Sequence, residues 1–179
     1  AEFPQVARSG SAGFEAAASA DERELWAGLA VNAAGILLRR EPDAPWALRV
    51  RGLVFAASGD PGQGVADLRR AADALAAAGR PADARIEGEL GRLLLAREDF
   101  GDALRHLRRA ADLDPAAAAA WADLGMVLAS IGDASGALEA LGRAIDIAPE
   151  RPTAWYNRGL LHLRAQRLES IGTLAGGVA

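Results

Sequence analysis

The chain has 179 residues and a formal net charge of −4, with 51% hydrophobic and only 5% aromatic residues. Because it contains no cysteine, the composition excludes a disulfide scaffold, a cysteine nucleophile and cysteine-based zinc or iron–sulfur sites. The scarcity of aromatic residues argues against a β-sandwich or β-barrel. The near-balanced charge does not suggest nucleic-acid binding. From the composition as a whole we expect a soluble helical protein.

The first predicted helix runs from Asp21 to Arg40 and ends before Pro42. Its apolar stretch over residues 25–38 is 14 residues long. A bilayer requires roughly 20 apolar residues, and the flanks of a signal peptide are absent, so we expect no membrane insertion. Residues 4–19 give no firm helix signal. We therefore interpret residues 1–44 as an N-terminal segment with one long helix, either a degenerate or a capping unit.

The rest of the chain is organised by a repeat. A shift of 34 residues superimposes Trp121 on Trp155 and Pro115 on Pro149, and the string RRAAD occurs at 69–73 and again at 108–112. One unit upstream the offset becomes 39, which places an insertion near residues 76–83. Such periodicity predicts a repeat array, with units at 45–83, 84–117 and 118–151 and an incomplete unit at 152–179.

Each unit is predicted to contain two helices. In the best-defined unit, apolar residues at helical spacing predict a first helix over 118–131 and a second over 135–147. Gly132 is expected to end the first helix, and Asp133 is expected to cap the second. Two such helices bury their apolar stripes only against neighbouring units, as in an α-solenoid.

The pattern W-x2-L-G-x2-L over residues 121–128, followed by A-x3-L over 137–141 and by Pro149, resembles the tetratricopeptide repeat. The preceding unit departs from it at Glu87, which stands where the pattern has Trp, and the last unit has Ile171 where the pattern has Ala. The resemblance covers about residues 45–179. It implies an all-α fold, a right-handed superhelix of antiparallel helix pairs that binds a protein or peptide partner and has no catalytic activity.

Small residues in this pattern have a physical reason. Helices approach closely only where the side chains between them are small. We therefore predict that the repeat glycines lie at helix contacts, namely Gly52, Gly91, Gly125 and Gly159.

The resemblance also implies a concave groove lined by the outward stripe of the first helices. Three arginines on that stripe of a net acidic chain favour an acidic partner, since arginine binds carboxylates through two hydrogen bonds. A chaperone-type carboxylate clamp is not expected, because the chain has no lysine. The predicted groove residues are Trp46, Arg49, Leu53, Arg85, Glu89, Arg92, Met126, Tyr156, Asn157, Leu160 and Arg164.

Signals for chemistry are weak. His106 and His162 fall on different helices at different repeat positions, so a shared metal site or triad is not expected. The glycine-rich residues 59–64 lack the Lys-Ser/Thr of a phosphate-binding loop and fit a turn between helices. We predict no catalytic residue, no cofactor and no metal.

Two further interpretations stay open. The chain could self-associate into a homo-oligomer, because the incomplete last unit leaves Leu160, Leu161 and Leu163 with little cover. It could also be the regulatory array of a larger enzyme. The use of arginine without lysine is typical of a GC-rich bacterial genome; the cytoplasm is favoured as the location, and the periplasm remains an alternative.

Overall fold

A computed structural model of the chain describes residues 20–176, with side chains described for residue 22 and for residues 24–167. The described residues contain helices and no strand, which confirms the all-α prediction. Residues 1–19 and 177–179, and with them the glycine- and serine-rich stretch near the start, lie outside the described residues. In chain order the helices are α1 (Ala20–Leu38), α2 (Pro45–Ala57), α3 (Pro61–Ala77), α4 (Ala84–Ala96), α5 (Phe100–Leu113), α6 (Ala118–Ser130), α7 (Ala134–Ile147) and α8 (Pro152–Gly176).

The helices form a row of antiparallel pairs, α2 with α3, α4 with α5 and α6 with α7, and each pair packs on the next. Along the row the first helices touch one another, α2 with α4, α4 with α6 and α6 with α8. The second helices α3, α5 and α7 make no such contact within residues 20–176. Because neighbouring first helices touch one another and neighbouring second helices do not, the row curves toward the side of the first helices. The first helices therefore line its concave side. The α-solenoid of tetratricopeptide type is confirmed.

Tight turns join the helices within each pair. Gly59 and Gly132 adopt φ angles of +94° and +87°, and the corresponding turn residue of the second pair is Glu98 at +62°. These left-handed conformations favour glycine, which carries no Cβ. A carboxylate oxygen of Asp133 accepts a hydrogen bond of 2.9 Å from the backbone N–H of Gly136. The predicted helix stop and cap are therefore both confirmed.

A hydrogen bond explains why tryptophan and proline share the same period. The indole Nε1 of Trp121 donates to the carbonyl oxygen of Pro115 at 3.0 Å, and that of Trp155 donates to the carbonyl of Pro149 at 2.9 Å. Each bond ties a first helix to the turn that precedes it.

Two buried carboxylates join the helices of their pairs. Asp67 on α3 accepts two hydrogen bonds of 2.7 Å from Arg51 on α2, and this contact raises the pKa of Arg51. Glu87, which replaces the tryptophan in α4, is only 2% exposed. Its carboxylate lies 2.7 Å from His106 Nδ1 and 3.2 Å from Arg109, both on α5. A buried carboxylate is tolerated only with such partners.

Three repeat glycines lie where the paired helices press together, as predicted. A Cβ on Gly125 would lie 2.6 Å from Cγ of Leu141, a Cβ on Gly91 would lie 2.6 Å from Cγ of Leu107, and a Cβ on Gly52 would lie 2.9 Å from a backbone oxygen of α3. At Gly159 the prediction was wrong, because a Cβ there would meet nothing within 4 Å. α8 continues as one helix to Gly176, so within residues 20–176 no second helix folds back over this glycine.

The two glycines Gly125 and Gly159 occupy the same repeat position and offer a matched test. We expect Gly125→Ala to lower the free energy of unfolding by about 1–3 kcal/mol, because the new methyl group overpacks the contact with Leu141. Gly159→Ala should leave stability unchanged or raise it by up to about 1 kcal/mol, since alanine favours a helix interior. Urea denaturation of both variants measures this, and equal losses at the two sites would contradict the assigned packing.

Candidate binding groove

The inner face carries two neighbouring cavities. The first, which we call the polar recess, has a volume of about 190 Å³ and lies between α4 and α6; it is lined by Ala84, Arg85, Gly88, Glu89, Arg92, Asp114, Ala117, Ala119, Ala120 and Asp123. The second, which we call the apolar cleft, has a volume of about 440 Å³ and lies between α6 and α8; it is lined by Gly125, Met126, Ala129, Leu141, Asn157, Leu160, Leu161, Leu163, Arg164 and Arg167.

The polar recess combines two exposed arginines with two partly buried acids. Arg85 and Arg92 are seven residues apart and lie on the same face of α4. Neither makes a salt bridge or side-chain hydrogen bond to another described residue. Burial raises the pKa of Asp123 on α6 to about 6, although Arg92 and Arg151 act in the opposite direction. Burial likewise raises the pKa of Glu89, against the effect of its hydrogen bond from Arg49. The recess therefore combines two exposed cationic groups with two carboxyl groups whose ionised form is disfavoured by burial.

Arg49, predicted as a third groove arginine, is held by Glu89. Its Nε donates to Oε2 of Glu89 at 2.7 Å, and its Nη2 donates to Oε1 of the same carboxylate. This bidentate pair links α2 to α4 and largely neutralises both side chains. The structure therefore differs from the sequence expectation, because the cations exposed in the recess are Arg85 and Arg92 without Arg49.

The apolar cleft exposes large hydrophobic side chains. Met126 is 37% exposed, Leu160 47% and Leu163 64%. Among the described residues Asn157 contributes a buried side-chain Nδ2 that has no hydrogen-bond partner. An unpaired buried donor costs free energy, which a carbonyl oxygen of a bound chain would recover. Arg164 beside these residues brings positive charge to the rim.

The structure brings most of the predicted groove residues together, but not all. Arg85, Glu89 and Arg92 line the polar recess, and Met126, Asn157, Leu160 and Arg164 line the apolar cleft. The four remaining predicted residues line neither cavity; they are Trp46, which packs against the core, Arg49, which is held by Glu89, Leu53, and Tyr156, which is 67% exposed.

Charged residues outside the predicted set also line the cavities, among them Asp123 in the polar recess and Arg167 in the apolar cleft. Asp123 lies three residues before Met126 on α6, and Arg167 lies three residues after Arg164 on α8. Helical spacing from Met126 and Arg164, which are in the predicted set, is the signal that points to both.

A metal site and a membrane-spanning helix each require particular features of the residues that form them. Within residues 20–176, no group of three or more histidine and acidic residues is arranged to hold a metal ion. None of the described helices combines the length and the apolar character that crossing a bilayer requires.

Residues 90–155 match the tetratricopeptide repeat family. The match begins within α4, covers α5, α6 and α7, and ends in the first turn of α8. This part of the chain belongs to the tetratricopeptide repeat family. Among curated protein sequences, none matches the chain.

Solved structures with the same fold share little sequence with this chain. MamA 41-end from Desulfovibrio magneticus RS-1 is 20% identical with a TM-score of 0.74, covering 97% of this chain and 91% of that one. YrrB, described as a TPR protein with an unusual peptide-binding site, is 23% identical with a TM-score of 0.66, covering 78% and 70%. The first TPR of Spaghetti (RPAP3), bound to the HSP90 peptide SRMEEVD, is 12% identical with a TM-score of 0.63, covering 69% and 94%. At these identities the likeness shows the fold.

Because the pKa of Asp123 is raised in the folded state, the free energy of unfolding falls as the pH rises. Because the pKa of about 6 in the folded state exceeds the ordinary value of 3.8, the folded chain is favoured when Asp123 is protonated, and this stability is lost as the pH rises through about 6. We expect Asp123→Asn to raise the free energy of unfolding by up to about 3 kcal/mol near pH 8. Below about pH 4 the variant and the parent chain should be equally stable.

Urea denaturation at both pH values measures this effect. Asp146→Asn, at an exposed position on α7, removes the same charge and is the matched control. A stability gain for Asp123→Asn that is the same at both pH values would contradict the burial of its charge.

Proposed function

We propose that this chain is a non-catalytic scaffold for protein interactions and that its concave groove binds an extended peptide segment. Acidic residues of the peptide lie over Arg85 and Arg92 in the polar recess, and apolar residues of the same peptide fill the apolar cleft. The partner is therefore a protein or peptide with acidic and apolar residues in sequence.

The pair Arg85 and Arg92 carries this proposal. Both guanidinium groups are exposed on the inner face of a chain whose net charge is −4, and neither makes a salt bridge to a described side chain, although Arg92 acts electrostatically on Glu89 and Asp123. Arginine binds carboxylates through two parallel hydrogen bonds, which gives geometric specificity as well as attraction. Asn157 adds a donor that suits a backbone carbonyl of a bound peptide.

Peptide binding by proteins of the same fold supports the proposal. YrrB has a peptide-binding site, and the first TPR of Spaghetti binds an HSP90 peptide that contains two consecutive glutamates and a terminal aspartate. A C-terminal carboxylate clamp built on lysine is not proposed, because the chain contains none.

Self-association is a second candidate function. It is favoured by the exposure of Leu160 and Leu163 on α8, a helix that no second helix covers within the described residues. Exposed contiguous apolar surface on a folded chain marks an interaction site.

Selection from a displayed library of random peptides tests the groove. We expect the parent chain to enrich peptides that combine Asp or Glu with apolar residues. A variant with Arg85→Glu and Arg92→Glu should bind each selected peptide about tenfold more weakly or worse, because two attractive charges become repulsive. Raising the salt concentration should weaken binding to the parent chain, since charge contacts are screened over about 8–10 Å.

The matched control changes the same charge on the other side of the solenoid. Arg70→Glu with Arg108→Glu alters α3 and α5, and Arg70 makes an exposed salt bridge to Asp43 that contributes little to stability. This control should keep the affinity of the parent chain. Selected peptides that bind equally well to the groove variant would show that the inner face is not the binding site.

A further inference from the structure

The helix row has two unlike ends, and the first end exposes a stripe of α1. The inner side of α1 packs on α2 through Ala27 and Ala30. Its outer side carries Leu25, Gly28, Leu29 and Asn32 at the spacing of one helical stripe, with Glu24 beside them. Leu25 is 62% exposed and Leu29 44%. Nothing lies within 4 Å of a Cβ placed on Gly28, so another helix could approach closely here.

The other end of the row exposes α8. Gly159 occupies the repeat position at which Gly125 presses against Leu141, yet a Cβ on Gly159 meets nothing within 4 Å. Leu160 and Leu163 follow this glycine on α8 and line the apolar cleft. In each complete pair a second helix covers the first helix, whereas in the described residues α8 has no such cover.

The charges of the two terminal helices are opposite. α1 contains three acidic residues and one arginine, which gives a net charge of −2, and α8 contains three arginines and one glutamate, which gives +2. Glu24 lies beside the apolar stripe of α1, and Arg164 and Arg167 line the apolar cleft on α8. Two copies of the α8 end would bring arginines together, whereas unlike ends pair apolar with apolar side chains and acids with arginines.

We propose that the apolar cleft of one copy receives the outer stripe of α1 from a second copy of this chain. The contact is heterologous, because each copy uses two different surfaces, and so it builds open head-to-tail chains or closed rings. The inference rests on the second candidate function, self-association. It uses the apolar cleft that apolar residues of the proposed peptide would also fill, so the two occupants compete there, but it does not involve Arg85 or Arg92. A groove for acidic peptides at the polar recess and a head-to-tail contact at the cleft can therefore fail separately.

Two variants that each block one end test the proposal by sedimentation velocity over a wide range of concentrations. One carries Leu25→Asp with Leu29→Asp on α1, and the other carries Leu160→Asp with Leu163→Asp on α8. We expect the parent chain to gain mass as its concentration rises, and each blocked variant alone to stay a monomer. An equimolar mixture should form a heterodimer and grow no further, because only one intact α1 stripe and one intact α8 face remain.

A control and the alternative contacts complete the experiment. Leu113→Asp with Ile131→Asp changes two exposed apolar residues elsewhere, 43% and 47% exposed, and should associate like the parent chain. Circular dichroism shows whether each variant keeps its helices. A parent chain that stays monomeric overturns the proposal, as does a monomeric mixture, and association of either blocked variant alone shows that like ends pair. The variant with Arg85→Glu and Arg92→Glu should associate normally, which separates this result from peptide binding.

Discussion

The contact between a glycine of the first helix and the second helix sets the geometry of every complete pair. Leu107 and Leu141 reach zero exposure because Gly91 and Gly125 leave room for them. With aromatic residues at 5% of the chain, the core consists mainly of alanine and leucine, and short side chains make dispersion contacts only when the backbones are close. Close pairing therefore allows the small side chains to form a dense core. It also fixes where each first helix presents its inner stripe.

Ion pairs between repeats decide the polarity of that inner stripe. Arg49 and Arg51 are two residues apart on α2, yet Arg51 pairs with Asp67 within its own helix pair and Arg49 reaches Glu89 in the next. The ion pair between Arg49 and Glu89 neutralises one cation and one acid of the predicted groove. What remains exposed in the polar recess is the pair Arg85 and Arg92. The stacking of neighbouring helix pairs therefore decides which charges are exposed on the inner face.

The repeat period was enough to predict the helices, their pairing and the turn at Gly132, because each depends on local pattern and on contacts that recur in every unit. It could not predict that Arg49 is held by Glu89, 40 residues away, since that contact depends on the offset between two stacked pairs. The error at Gly159 has a related cause. A glycine in the repeat position permits a close second helix but does not require one, and α8 runs on unbroken. The domain boundaries and the groove itself stay predictions.

The polar recess and the apolar cleft meet along α6, where Asp123 and Met126 lie three residues apart on the same face. A ligand that fills both cavities must cross α6 beside Asp123, whose pKa is already raised to about 6 by burial. An acidic ligand adds negative charge and covers the carboxyl further, and both effects favour its protonated form. In the proposed mode of binding, an acidic segment in the groove and a proton on Asp123 would therefore favour each other.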